Sequence, residues 1–226
     1  FSAILYFTTT HIESYQVTSG PLSRNETYTG LAIREESLCK ADSSGYITYY
    51  AREGSIMKQM TFLDLCSGIG GFRLGLETAG HKCIGYCEYD KFARASYEAM
   101  YDTEGEWKAY DVTKLKPGDV PYADIWCFGF PCQDISVAGK QRGLVGKRSG
   151  IYYNIIDLLK GKEESAKPSY LLVENVKNLL SINAGFDFAS VLSEMDEAGY
   201  DCRWQVLNSK NFGVPQNRER VFIIAN

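Results

Sequence analysis

From Thr61 onward, short apolar runs alternate with segments in which apolar residues recur every three or four positions. Phe62-Leu63-Asp64-Leu65-Cys66 reads as a strand, Gly71 to Ala79 as a helix, Cys83 to Cys87 as a strand and Asp90 to Tyr101 as a helix. A strand near Ile125, a helix from about Gly150 to Leu159, a strand at Leu171, a helix across Phe186 to Ala198 and strands near Arg203 to Leu207 and Val221 to Ile224 complete the pattern. Strands and helices in alternation, with short connections, predict an α/β fold: a doubly wound, mostly parallel sheet with helices on both faces. The last two strands are joined by too few residues for a crossover helix, so they are expected to pair as an antiparallel hairpin at one edge.

Residues 1–56 have a different texture, rich in Ser, Thr and Tyr without a long apolar period, and read as an N-terminal extension. Residues 57–226 form the expected catalytic domain. With 226 residues and 45% hydrophobic content the chain can bury one full core. Seven cysteines lie scattered, and Cys66, Cys83 and Cys127 fall in apolar runs where a thiol packs as a small hydrophobe. Cys83 and Cys87 have no second Cys or His pair at zinc-ligand spacing, so no metal is expected. No apolar run is long enough to span a membrane, and Phe1 to Thr10 lacks the features of a secretory signal. The expected setting is reducing, intracellular and cytoplasmic, away from membranes.

The chemistry-bearing residues cluster where strands end. Cys132, in Gly129-Phe130-Pro131-Cys132-Gln133, follows the apolar run through Phe128 and is a candidate nucleophile. Glu174-Asn175-Val176 follows Tyr170 to Val173, and Gln216-Asn217-Arg218-Glu219-Arg220 precedes Val221 to Ile224. Thiol, carboxylic acid and guanidinium at successive strand tips suit attack on an electron-poor ring. Sheets of this type bind ligands beyond the carboxyl ends of their strands.

A second set reads as a cofactor site. Asp64-Leu65-Cys66-Ser67-Gly68-Ile69-Gly70-Gly71-Phe72 is a strand, a glycine turn and a helix start, with free N–H groups at the helix amino end. The third glycine of the dinucleotide fingerprint would fall at Arg73, which disfavours a pyrophosphate cofactor and a nicotinamide-dependent oxidoreductase. Glu88 is placed to accept from a ribose diol, Tyr89 to stack on a purine, and Asp111, with Val112 beside it, to accept from an adenine amine. Those acids with no pyrophosphate clamp point to S-adenosylmethionine. The net charge of −4 argues against a uniformly basic coat, but Val137 to Gly150 holds Lys140, Arg142, Lys147 and Arg148 among glycines and without an acid, a basic loop suited to phosphates.

On these motifs, Thr61 to Asn226 resembles the C5-cytosine DNA methyltransferases. Phe62 to Phe72 resembles the first cofactor motif of that family, Gly129 to Gln133 its nucleophile motif, Glu174 to Val176 its acid motif and Gln216 to Arg220 its Gln-x-Arg-x-Arg motif, in the family's order. The resemblance implies a Rossmann-like S-adenosylmethionine-dependent fold. It also implies Cys132, Glu174, Arg218 and Arg220 as the catalytic set, with Cys132 adding to carbon 6 of cytosine. Glu174 would serve N3 with a pKa raised by partial burial; Arg218 would hold the base carbonyl and steady Cys132 or Glu174, with Arg220 in a supporting ion pair. Asp64, Cys66, Ser67, Gly68, Gly70, Gly71, Phe72, Glu88, Tyr89, Asp111, Val112 and Pro131 would line the cofactor pocket. Gln133, Ser136, Lys140, Arg142 and Arg148 would meet double-stranded DNA, the loop from Ser136 to Arg148 closing over a base rotated out of the stack.

The family continues past the last strand into a target-recognition domain and two further motifs, whereas this sequence stops at Asn226. The resemblance thus implies a catalytic domain truncated before target recognition, and leaves open a second chain that supplies it. A partner-dependent or inactive cofactor- or DNA-binding fragment, and a transfer-RNA cytosine-5 methyltransferase, are the alternative readings.

Overall fold

The computed structural model describes residues 59–131 and 150–226, and the backbone of two paired two-residue strands, Lys40–Ala41 and Ile47–Thr48. The boundary expected near residue 56 lies outside the described residues. Seven strands form one sheet: β1 (Thr61–Leu65), β2 (Lys82–Cys87), β3 (Trp107–Ala109), β4 (Ile125–Gly129), β5 (Tyr170–Val176), β6 (Cys202–Asn208) and β7 (Glu219–Ala225). Their order is β3-β2-β1-β4-β5-β7-β6. Among the described residues four α-helices are interleaved: α1 (Gly71–Thr78), α2 (Lys91–Met100), α3 (Ile151–Lys160) and α4 (Phe186–Glu197).

The central strands are predominantly apolar because both faces are covered. Period-2 alternation sends their side chains to two cores. Leu63, Trp126, Phe128, Leu171 and Val173 join Tyr152, Ile155, Ile156 and Leu159 of α3 and Val191 and Met195 of α4 on one face. Phe62, Ile125, Cys127 and Leu172 meet Phe72 and Leu76 of α1 on the other. The helix ends follow local chemistry. Asp90 caps α2, its Oδ1 accepting from the N–H groups of Phe92 and Ala93 at 2.9 and 2.8 Å. Gly199, just past α4, takes the left-handed conformation that stops a helix, with φ 95°.

β6 and β7 pair antiparallel, as expected, but β7 does not lie at the edge. It runs between β5 and β6, antiparallel to both. Burial explains the placement: every residue from Val221 to Ala225 is buried, so β7 needs a neighbour on each side, whereas β6 carries exposed Arg203 and Trp204 and tolerates the edge. β5 also runs further than the pattern suggests, through Glu174 and Asn175 to Val176, because β7 pairs with it as far as Val176↔Arg220. β3 is three residues long, too short for a period to show, and appears in the sequence only as the region before Asp111.

Candidate active site

The parallel strands β1, β2, β3, β4 and β5 deliver their carboxyl ends to one margin of the sheet, and β7, running the other way, brings its amino end to the same margin. The turn after β1, the tips of β2 and β3, Phe130-Pro131 after β4, Glu174 in β5 and Arg218 to Arg220 at the start of β7 therefore share one edge.

The turn after β1 takes three left-handed residues, Cys66, Gly68 and Gly70, with φ of 56, 56 and 89°. Cys66 is the only one of the three with a side chain to crowd that conformation. Gly70 is required twice over, by its φ and because a Cβ there would meet the Tyr101 ring at 2.4 Å. Tyr101 supports the turn from beneath, its hydroxyl donating to the Gly70 carbonyl at 2.9 Å. Ser67 N–H donates to the Cys87 carbonyl at 3.1 Å, tying the turn to the β2 tip.

Arg73, the residue that breaks the dinucleotide fingerprint, is the keystone below. It is 4% exposed, grips both Glu106 oxygens with Nη1 and Nη2 at 2.8 and 2.9 Å, reaches the Asp102 carbonyl at 3.0 Å and Glu77 at 2.9 Å, and lies over the Tyr101 and Tyr97 rings. Asp64 is wholly buried beside this cluster, with the Tyr97 hydroxyl 3.5 Å from Oδ2. Burial drives its pKa well above the usual carboxylate range, against the lowering pull of Arg73. Its Oδ1 and the Ser67 hydroxyl are buried without a hydrogen-bond partner.

Of the predicted cofactor residues, Asp64 and Phe72 thus lie under the turn, Phe72 within the α1-side core. Glu88, Tyr89 and Asp111 stand at its open side. Glu88 accepts from Gly68 N–H through Oε2 at 2.8 Å and from Asp90 N–H through Oε1 at 2.7 Å, which leaves each oxygen a lone pair for a diol. Tyr89 is 76% exposed. Asp111 holds the Thr113 hydroxyl at 2.6 Å and pairs with Lys114 at 3.2 Å; these contacts, the Thr113 bond foremost, hold its carboxyl below the ordinary pKa, as an anion. Val112 is buried behind it and Gly71 opens α1 on the exposed side. An unsatisfied buried hydroxyl, a turn that requires glycine at Gly70 and two acids spaced along the strand tips fit a nucleoside with an amino-acid tail.

On the other side of the sheet, Glu174 is half-buried and its Oε1 takes Arg220 Nε at 2.9 Å. Desolvation raises its pKa, with Arg220 and then Arg218 pulling it back down. Gly129, its partner in register on β4, leaves room for it: a Cβ there would come within 3.3 Å of Glu174 Oε2. Arg220 makes the direct ion pair, while exposed Arg218 acts on Glu174 through space. Pro131 is exposed at the end of β4. Cys132, Gln133, Ser136, Lys140, Arg142 and Arg148 lie outside the described residues.

Two asparagines were not singled out by the motifs. Asn175, 3% exposed, donates to the Phe130 carbonyl at 2.8 Å and so fixes the chain two residues before Cys132. Asn208 closes the hairpin that carries Arg218: its Oδ1 accepts from Lys210 and Arg218 N–H at 3.3 and 3.1 Å, and its Nδ2 donates to Asn217 at 2.6 Å. Asn175 lay within the acid motif without an assigned role, and the burial that gives both asparagines theirs comes from packing.

Among the described residues no helix is long and apolar enough to cross a membrane. Residues 60–226 match the family described as C-5 cytosine-specific DNA methylase. The type II methyltransferase M.BsuFI of Bacillus subtilis is 39% identical over 182 residues, 78% of this chain and 43% of its own length. M.NgoBI of Neisseria gonorrhoeae is 42% identical over 162 residues, 72% of this chain and 49% of that protein, and M.HhaI of Haemophilus parahaemolyticus is 39% identical over 170 residues, covering 74% and 50%. The chain therefore spans about half the length of the curated relatives it matches. The crystal structure of S. pombe Dnmt2 methyltransferase shares the fold at a TM-score of 0.55 and 22% identity, over 74% of this chain and 49% of that one. The Entamoeba histolytica methyltransferase EhMeth does so at 0.57 and 18%, over 75% and 53%.

Proposed function

Because the chain belongs to the C-5 cytosine-specific DNA methylase family, we propose that it carries the cofactor and catalytic half of an enzyme that methylates carbon 5 of cytosine in double-stranded DNA. The observation that carries the reading is Glu174, a carboxyl group with a burial-raised pKa, paired to Arg220 and set one strand from the segment that leads into Pro131-Cys132.

The chain's residues divide the work as follows. The Cys132 thiolate forms a bond to carbon 6 of a base rotated out of the helix, and the displaced electron pair passes through the ring toward N3. Glu174, whose pKa burial raises, protonates or hydrogen-bonds N3 as negative charge develops there and leaves carbon 5 nucleophilic. When bound, S-adenosylmethionine supplies the sulfonium methyl group that carbon 5 takes. Loss of the carbon-5 proton to water or a nearby base then restores the double bond and expels the Cys132 sulfur as thiolate, and the N3 proton returns to Glu174. Arg220 holds Glu174 in place, and Arg218, exposed at the same margin, serves the base carbonyl. Glu88 and Asp111 hold the ribose and adenine, with Tyr89 stacked on the purine. Gln133, Ser136, Lys140, Arg142 and Arg148 meet the DNA backbone, where lysine and arginine supply most of the affinity.

The test is incubation with tritiated S-adenosylmethionine and duplex DNA containing 5-fluorocytosine, whose carbon-5 substituent cannot leave. The expected result is a labelled covalent adduct that Cys132→Ser does not form. Because the chain spans about half of its relatives, a fragment that binds cofactor but needs a second chain for target recognition is the second reading. Cofactor binding without an adduct would select it, and an adduct on transfer RNA but not DNA would move the substrate assignment.

A further inference from the structure

The tips of β2 and β3 flank the place where a purine would lie; the strands pair as far as Cys87↔Ala109, and a further backbone hydrogen bond runs from Glu88 N–H to the Ala109 carbonyl at 3.2 Å. Past that bond it is Arg94, on α2, that ties them together. Its Nη1 donates to the carbonyls of both Glu88 and Tyr89, at 2.9 and 2.7 Å. The same guanidinium lies over the Tyr110 ring, 4.6 Å from its centroid. Tyr110 directly precedes Asp111, and α2 is itself anchored by the Asp90 cap. One half-buried side chain therefore spans from the residues that would face the ribose and the ring to the residue that would read the exocyclic amine. Tyr89 and Tyr110 remain 76% and 58% exposed, two large rings turned to solvent on the two sides of this gap.

We propose that Arg94 is a positioning residue for the purine end of the cofactor, setting the gap between Tyr89 and Asp111 so that the site reads adenine by its amine. The proposal rests on the S-adenosylmethionine reading given above and adds a residue to it. Arg94 acts through two carbonyls and a ring and touches no atom of the nucleoside. A planar guanidinium suits the task because it can bond two carbonyls along its edge while its face stacks on an aromatic ring.

Calorimetric titration of the chain with S-adenosylhomocysteine and with S-inosylhomocysteine, which carries an oxygen in place of the adenine amine, tests it without turnover. The wild-type chain is expected to favour the adenine compound, since a site built to accept from an amine rejects an analogue that lacks it. Arg94→Ala is expected to weaken S-adenosylhomocysteine about ten-fold and to narrow that preference. Arg94→Lys should restore part of the preference, because an ammonium can still reach the carbonyls. Tyr110→Leu, which leaves the carbonyl bonds intact, should narrow it less and carries the test if Arg94→Ala fails to fold by thermal melting. An unchanged preference in both Arg94→Ala and Tyr110→Leu, whether or not affinity falls, would overturn the proposal and leave the cofactor reading standing. Failure of the wild-type chain to bind either compound would refute the cofactor reading and this inference with it.

Discussion

The two sides of the sheet margin are built by opposite means. On the β1–β3 side the ligand surface is largely backbone, a turn in left-handed conformation propped from below by Tyr101 and by the buried Arg73–Glu106 pair. On the β5–β7 side it is side chain, a carboxyl and a guanidinium across one strand pair, both partly in contact with solvent. The first side fixes shape and should fail through stability; the second tunes a proton and should fail through chemistry. A cofactor is recognised by where backbone amides stand, whereas a reacting base needs a group whose charge state can change.

The sharpest break of this contrast is Arg73→Met. It leaves Glu106 and the Asp102 carbonyl without their partner, and loss of one member of a buried pair costs about 3–5 kcal/mol, to be read from the urea midpoint. A loss under about 1 kcal/mol, the value of an exposed pair, would show that the turn does not depend on its prop. Next is Gly70→Ala, where a left-handed φ and the Tyr101 ring oppose the new methyl group. Strain of about 1–3 kcal/mol is expected in melting, together with loss of S-adenosylhomocysteine binding that Gly118→Ala, in open space away from the turn, does not reproduce.

Asp64→Asn tests the raised pKa of this buried acid. Its folded pKa is raised, so the folded state holds the proton more tightly than the unfolded chain. The stability this contributes is fully present below the unfolded pKa and is lost as pH rises toward the folded one. Wild-type stability should decline across that window in denaturant titrations at stepped pH, and Asp64→Asn should flatten the slope. A slope unchanged by the substitution would mean Asp64 is ionised. The smallest effect on stability belongs to Glu174→Gln, within about 1 kcal/mol because the pair is partly exposed. Adduct formation on 5-fluorocytosine DNA should nonetheless fall by about 10²-fold or more, the scale of general-acid assistance, and in the wild type should slow as pH rises through the Glu174 pKa. A variant that lost stability and kept adduct formation would reverse the comparison.

The fold was legible because alternation of apolar runs is a local property. Phe62 to Leu65, Ile125 to Phe128 and Leu171 to Val173 announce central strands without reference to anything distant. The insertion of β7 between β5 and β6 was not announced, since it depends on which of two adjacent strands has the more apolar pair of faces. In the site, glycine turn and acids were readable because their positions at strand ends are set by sequence order. Arg73 was read only as a missing glycine, because its partner Glu106 is 33 residues away. Arg94 left no mark for a similar reason: its bonds go to backbone carbonyls, which every residue has. Asn175 sat inside the acid motif and Asn208 outside the motifs, yet the burial of both could be known only from packing.

The inverted last strand has a consequence for how the Glu174–Arg220 pair comes into being. β7 must slot between two strands that precede it, and only then does Arg220 arrive opposite Val176, beside Glu174. During synthesis the acid is made more than forty residues before its counter-charge, as the separation of Glu174 and Arg220 in the chain shows. Without this strand Glu174 has no Arg220 beside it, so under the proposed mechanism chemical competence would arrive only with the last step of sheet closure.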